Sequence, residues 1–365
     1  MNLMEAQELL QDIVFVILYG CVMGLSMAAA LYLLLRRSNA IAPGVTPPLR
    51  LRLWAAALMV ENVVSHIFWL LYFSHPTVSG YILVCTQDVL LLIPIVAGFL
   101  LSMLQDRHRS VWPMVVALVP SIVLSALSII RNNEAFMEWM RIYVVVVFAL
   151  FMVYMSFSVR RYGRWLRDNY ADLENKEVWQ SFLILIVLIL LSILYLFTSE
   201  QSKVLIYLLE YVCIAIMGLL LWRVETLQVL SESTTAEEPA GEETAPVPQE
   251  LLVDITSLLR KNCEEKQLYL QHDLSLSQLA LAVGTNHYYL SQYFSQQGLT
   301  YNAYINGLRI GHFISLYQKA VAEGRVFTAQ QLASESGYRS YSTFSAAFKQ
   351  RTGKSVTAWM RGAGE

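Results

Sequence analysis

Apolar residues run almost unbroken through seven stretches of the chain, at about 13–35, 53–73, 81–104, 111–130, 142–159, 178–197 and 204–222. Each has close to the ~20 residues that an α-helix needs to cross a hydrocarbon core. Lipid offers a backbone no hydrogen-bond partner, so such stretches are expected to satisfy themselves as helices. The pattern changes after position 250. Leu251, Leu252, Ile255, Leu258 and Leu259 fall at helical spacing with polar residues between them, and Leu276, Leu279, Ala280 and Val283 do so again. Amphipathic helices of a water-facing domain are expected there. Between the halves, Ser231 to Glu250 reads SESTTAEEPAGEETAPVPQE, with three prolines, six glutamates and little to bury. Such a segment is predicted to be a disordered tether with a coil span of about 25 Å. The chain is thus expected to be all-α. A seven-helix transmembrane bundle occupies 1–223, an acidic linker 224–250 and a soluble domain 251–365.

A particular spacing stands out within the soluble domain. Ala280 is followed four residues later by Gly284, then by Thr285-Asn286 and a helix predicted over His287 to Ser295. A small residue lets two helices approach closely, glycine permits the left-handed turn between them, and asparagine caps the helix that follows. This is the pattern of a helix-turn-helix. It recurs about 53 residues later, where Leu332-Ala333, Gly337 and a helix predicted over Tyr341 to Lys349 match Leu279-Ala280, Gly284 and the helix carrying Leu290 and Phe294. Phe344 and Phe348 take the core side of that second helix.

Composition sharpens the division. With 56% hydrophobic and 15% charged residues, the chain is too apolar for an ordinary soluble domain, in which charged residues approach about a quarter. With the N-terminus outside, twelve Lys and Arg fall on the cytoplasmic side of the apolar stretches and three, Arg131, Arg141 and Lys203, fall outside. That bias orients the bundle and leaves the C-terminal domain in the cytoplasm. Trp69, Tyr72, Tyr81, Trp139 and Tyr143 near the outer ends, and Trp112, Trp165 and Trp222 near the inner ends, fit interfacial belts. The first stretch reads as a retained helix rather than a cleaved signal, because Glu5, Glu8 and Asp12 precede it and Arg36-Arg37 follow it. The four cysteines, Cys21, Cys85, Cys213 and Cys263, give neither a disulfide framework nor zinc spacing.

Leu276 to Phe294, Asn306-Gly307-Leu308-Arg309, Ala333-x-x-x-Gly337-Tyr338, Phe344, Phe348 and Arg351-Thr352-Gly353 together carry a resemblance. Residues 251–361 resemble the DNA-binding domain of AraC-type transcription regulators, and the whole chain is similar to the membrane-anchored branch of such regulators. The resemblance implies two helix-turn-helix units joined by a long helix, each placing its second helix in a successive major groove of double-stranded DNA. It also implies a multi-pass protein of the bacterial inner (cytoplasmic) membrane. Three positions depart from the family pattern: Gly298 arrives one residue early, Phe313 stands where alanine is usual, and Val356 replaces a proline. The first two suggest local repacking of the linker helix.

Helix faces then select the residues expected to meet DNA. In the first recognition helix Leu290 and Phe294 point to the core, leaving Asn286, His287, Tyr288, Ser291, Gln292 and Ser295 outward. In the second, Arg339, Ser340, Ser342, Thr343, Ala346 and Lys349 remain, with Arg339 suited to bidentate recognition of guanine. Arg309, Lys319, Arg325, Arg351 and Lys354 suit phosphate contacts or internal ion pairs, and a structural role is expected for Arg309. Residues 250–365 carry eleven Lys and Arg against eight Asp and Glu. So weak a positive charge binds DNA poorly alone, and a homodimer on paired sites is expected.

Ionisable residues inside apolar stretches are costly and mark functional candidates. They are Glu61 and His66 in the second stretch, Asp88 in the third and Glu210 in the seventh. His66, Asp88 and Glu210 each lie roughly 10 Å below the outer boundary and share one layer. Two readings stand: interhelical hydrogen bonds that fix packing, or a polar pocket that takes a small molecule, peptide or proton as its signal. The segment Arg160 to Trp179 mixes five basic with four acidic residues and is read as extending the fifth helix. No nucleophile with its base and no H-E-x-x-H motif is present, so neither an enzyme nor a cofactor or metal site is expected. The expected function is a membrane-anchored, sequence-specific transcription regulator that couples a membrane or extracytoplasmic signal to promoter binding. A membrane-stored factor released by proteolysis in the linker, and a transporter-like protein with a fused regulatory domain, are the alternatives.

Overall fold

A computed structural model describes residues 10–36, 39–40, 46–131, 135–173, 176–179, 182–183, 186, 203–230 and 249–362. The chain divides into two compact units. Met1–Tyr162 with Asn175–Leu230 form the first, and Gly163–Glu174 with Ser231–Glu365 form the second. All named elements are helical.

The first unit is built from α1 (Ile13–Leu35), α2 (Leu49–Ser74), α3 (Val78–Ser102), α4 (Trp112–Ala117), α5 (Val119–Arg131), α6 (Ala135–Asn169) up to Tyr162, and α7 (Lys203–Thr226). Asp12 starts α1 by accepting from the backbone N–H groups of Val14 and Phe15, and Thr77 caps α3 in the same way through Gly80. Large apolar side chains such as Ile13, Leu35, Trp112, Ile130, Trp139, Leu150 and Phe157 are exposed, while Ser26, Glu61, His66, Ser121 and Glu210 are buried. Apolar outside and polar inside is the distribution that lipid favours over water. Among the described residues, and with α4 and α5 taken together as Trp112–Arg131, six helices rather than the expected seven are long and apolar enough to cross a membrane. The expected sixth span, 178–197, lies almost wholly outside the described residues.

Two boundaries differ from the sequence reading, each for a physical reason. The fourth stretch is two helices, because Pro120 lacks the N–H that would continue the ladder and its ring crowds the preceding turn. Ser121 N–H consequently bonds the Leu118 carbonyl at 3.0 Å in a tighter turn. The fifth helix continues past the apolar run, as the segment from Arg160 suggests, and ends at Asn169. The linker does not begin at 224: α7 continues to Thr226, and Leu227 and Leu230 are buried. There Val229 N–H donates to the Thr46 carbonyl at 2.7 Å, and Gln105 bonds both the Gln228 carbonyl and the Leu230 N–H at 2.9 Å. Glu225, polar in sequence and so read as tether, is buried and accepts from the Tyr32 hydroxyl at 2.6 Å. Residues 231–248 of the expected tether lie outside the described residues.

The second unit contains α8 (Gln249–Leu259), a π-helical turn over Arg260–Glu264, a 3-10 turn over Leu268–Leu270, then α9 (Leu276–Val283), α10 (His287–Gln296), α11 (Tyr301–Ala322), α12 (Ala329–Glu335), α13 (Tyr341–Thr352) and α14 (Val356–Gly362). Capping boxes start α9 through Ser275 and Gln278 and α12 through Thr328 and Gln331. Two cores form. Ile255, Leu259, Cys263, Leu276, Leu279, Leu290, Phe294 and Ile305 fill the first, and Ile310, Phe313, Tyr317, Leu332, Phe344 and Phe348 fill the second. α11 belongs to both, giving Tyr301 and Ile305 to one and Ile310, Phe313 and Tyr317 to the other. Phe313 is fully buried, with ring centroids 4.5 Å from Phe344 and 5.6 Å from Phe348. The bulk that departs from the family pattern is therefore absorbed by an aromatic cluster.

Candidate nucleic-acid interface

The two turns have the geometry their glycines allow. Gly284 lies at φ 84° after α9 and Gly337 at φ 85° after α12, the left-handed region that side chains disfavour. Each turn is followed by a polar cap. Asn286 accepts from Tyr289 N–H at 2.9 Å and Ser340 accepts from Thr343 N–H at 3.3 Å, so α10 and α13 start where the sequence places them.

Around α10 the expected contact residues are not equally free. The Asn286 side chain is committed to its cap. His287, the first helical residue, shares its Nε2 with Asn169 Oδ1 at 2.7 Å, and burial pulls its imidazole below the ordinary value. Tyr288 and Ser295 are exposed, and Ser291 and Gln292 are half-buried. Around α13, Ser342, Ala346 and Lys349 are exposed, Thr343 is half-buried, and the Ser340 hydroxyl lies 3.0 Å from those of Ser342 and Thr343. Arg339 is exposed but ion-paired, its Nη1 2.9 Å from Asp273 Oδ2. To read a guanine it must exchange that carboxylate for the base edge.

The other basic residues sort by burial. Arg309 is 1% exposed, donating from Nε to the Tyr269 carbonyl at 2.7 Å and from Nη2 to the Gln271 carbonyl at 2.8 Å. Its guanidinium lies over the Tyr338 ring, 5.4 Å from the centroid, and burial lowers its pKa. This is the structural role expected of it: it holds the turn before α9 against the residue that follows Gly337. Lys319 and Arg325 face Glu323 and Glu335 at 4.0 and 3.8 Å on the surface, pairs that contribute little in water. Lys354 is exposed, and Arg351 lies beside Gly307 on α11.

Residues 279–362 match the family model of a helix-turn-helix domain. This part of the chain is a helix-turn-helix domain. No curated protein and no solved structure matches the chain. The matched span contains both Gly284 and Gly337 turns and both following helices, the architecture of a DNA-binding regulator domain.

Sequence reasoning missed three partners. Asn169, Asp273 and Tyr338 engage His287, Arg339 and Arg309 respectively, and none lies on the helix it serves. Asp273 sits at φ 54°, in a turn without periodicity, so no pattern in the sequence marks it.

In the first unit the four ionisable residues sort into separate pairs. His66 Nε2 lies 3.2 Å from Glu210 Oε2, while His66 Nδ1 lies 2.7 Å from the Asn62 carbonyl. The Tyr19 hydroxyl donates to the His66 carbonyl at 2.5 Å. Asp88 accepts from the Ser65 hydroxyl at 2.6 Å and from Trp69 Nε1 at 2.9 Å. Glu61 accepts from Gln87 Nε2 at 2.6 Å. α2 thus reaches α1, α3 and α7 through polar side chains, which in an apolar surrounding fix both register and rotation.

Proposed function

We propose that the protein is a membrane-anchored, sequence-specific transcription regulator that couples a membrane or extracytoplasmic signal to promoter binding. The observation that carries this reading is that an AraC-type helix-turn-helix domain and six helices long and apolar enough to cross a membrane occur in one chain. In this reading 178–197 supplies a seventh span, the N-terminus lies outside, and the domain at 251–365 is held on the cytoplasmic face of a bacterial inner membrane. Tyr288, Ser291 and Gln292 of α10, and Arg339, Ser342, Thr343 and Lys349 of α13, face the bases, and two chains occupy paired sites. The polar residues Glu61, His66, Asp88 and Glu210 receive the signal, a small molecule, peptide or proton, by exchanging one set of interhelical hydrogen bonds for another.

Genome-wide occupancy of the full-length protein, compared with an Arg339→Ala, Lys349→Ala double variant, tests this. Discrete sites lost in the variant are expected, with a blot showing intact protein. Occupancy unchanged by the double variant would overturn the assignment of α13 as a base reader. Sites occupied only by a C-terminal fragment would replace anchoring by proteolytic release from storage.

A further inference from the structure

The end of α6 and the residues after it pack into the helix-turn-helix domain. Tyr170 forms an isolated antiparallel bridge with Ser275, and Ala171 N–H points to the Leu274 carbonyl at 3.4 Å. Asn302 Nδ2 donates to the Ala171 carbonyl at 2.6 Å and to the Tyr170 carbonyl at 3.2 Å. Ala171 is 1% exposed inside the first core, and Tyr170 and Asp172 are 4% exposed. Asn169 donates through Nδ2 to the Trp165 carbonyl at 2.8 Å, which turns its Oδ1 towards His287. Asp172 contributes negative potential at Arg309 and Tyr338. A short segment so polar, from so distant a place in the chain, is buried only when its backbone groups find partners. Here they do.

The surface it covers is the one a helix-turn-helix turns to DNA. The N-terminal end of the recognition helix enters the groove, and the N-terminus of the helix before it faces the backbone phosphates. Asn169 holds the first residue of α10, and Tyr170 pairs with the cap residue of α9. Chain lying across both helix starts occupies the space of a phosphate backbone, and the carboxylate of Asp172 opposes its charge.

We propose that residues 169–172 are an internal latch that competes with DNA for the first helix-turn-helix unit. Binding requires the latch to leave, and because it is the direct continuation of α6, whatever displaces the end of that helix sets the occupancy of the unit. This rests on the DNA-binding reading above and names its regulation.

The test fixes the latch in place. Antiparallel bridge partners lie about 4.5–5.5 Å apart at Cα, within the about 4.4–6.8 Å that a disulfide spans. Tyr170→Cys with Ser275→Cys is prepared in the full chain in lipid nanodiscs. Cys21, which is exposed, is replaced by serine, whereas Cys263 is buried with its thiol pushed up to about 12. A duplex from the strongest site recovered by occupancy is the probe. The oxidised protein is expected to bind it about ten-fold more weakly than the same protein reduced, within the range of allosteric couplings. Asn169→Ala, which removes the hydrogen bond to His287 and the local one to the Trp165 carbonyl and leaves the core intact, is expected to bind more tightly than the parent. Equal affinity of oxidised and reduced forms, or failure of the disulfide to form in folded protein, overturns the latch. Reduced protein that binds no duplex would instead remove the DNA-binding reading on which the latch rests.

Discussion

Gly284 and Gly337 occupy equivalent places in two copies of one motif, yet they answer to different constraints. At Gly284 a Cβ would meet nothing within 4 Å, so alanine there carries only the left-handed penalty of about 1–2 kcal/mol. At Gly337 a Cβ would stand 2.8 Å from the Leu270 Cα and carbonyl oxygen, backbone atoms that cannot rotate away. Gly337→Ala is therefore expected to destabilise the domain by clearly more than Gly284→Ala, measured by urea unfolding of the purified protein. Equal losses would mean that Leu270 is free to move aside. The sequence reveals the need for glycine at both turns, because backbone conformation is local. It does not reveal the close approach, since Leu270 follows a turn in which Gln267 adopts φ 55° and no periodicity marks its neighbour.

At the scale of elements, spacing located α9, α10, α12 and α13, whose apolar residues repeat and whose caps are Ser275, Asn286, Thr328 and Ser340. It misplaced what apolar pattern does not encode: the break at Pro120, and the segment at 169–172 with its partners. That segment is short, and its burial comes from backbone pairing rather than from a hydrophobic face. It also carries a pH dependence. Burial lowers the pKa of His287 in the docked state, with no charged neighbour contributing. The docked state therefore favours the neutral ring. Its stability is complete above the free imidazole value of about 6.5 and is lost as pH falls through the depressed one. Hydrogen exchange at residues 169–173, corrected for intrinsic rates, is expected to be faster at pH 5.5 than at 7.5 in the parent. In His287→Gln that difference should vanish. A difference that persists in the variant would assign the titration elsewhere.

For the whole molecule, the first unit is inverted relative to a water-soluble protein, with ionisable residues such as Glu61, His66 and Glu210 buried inside it and many large apolar side chains exposed. Orientation is then a matter of which ends carry Lys and Arg. His75 follows α2 and His108 lies between α3 and α4, at opposite ends of α3. Cysteines placed singly at these positions, in a Cys21→Ser background, are expected to differ: an impermeant maleimide should label position 75 in intact cells and spare position 108. The reverse pattern would place the helix-turn-helix domain on the side away from the chromosome. Sequence composition made the division into halves legible, since the halves suit different solvents.

Within the second unit the two turns are joined by more than α11. Arg309 ties the turn before α9 to Tyr338, His272 meets the Gly337 carbonyl at 3.1 Å, and Arg339 reaches Asp273. α11 itself has 22 residues, about 33 Å at 1.5 Å per residue, close to the roughly 34 Å of one DNA turn. Under the function proposed above, that length acts as a ruler: a promoter can drift by single letters and still be partly recognised, whereas half a turn of DNA added between two boxes would turn the second away from a helix that cannot stretch to follow it.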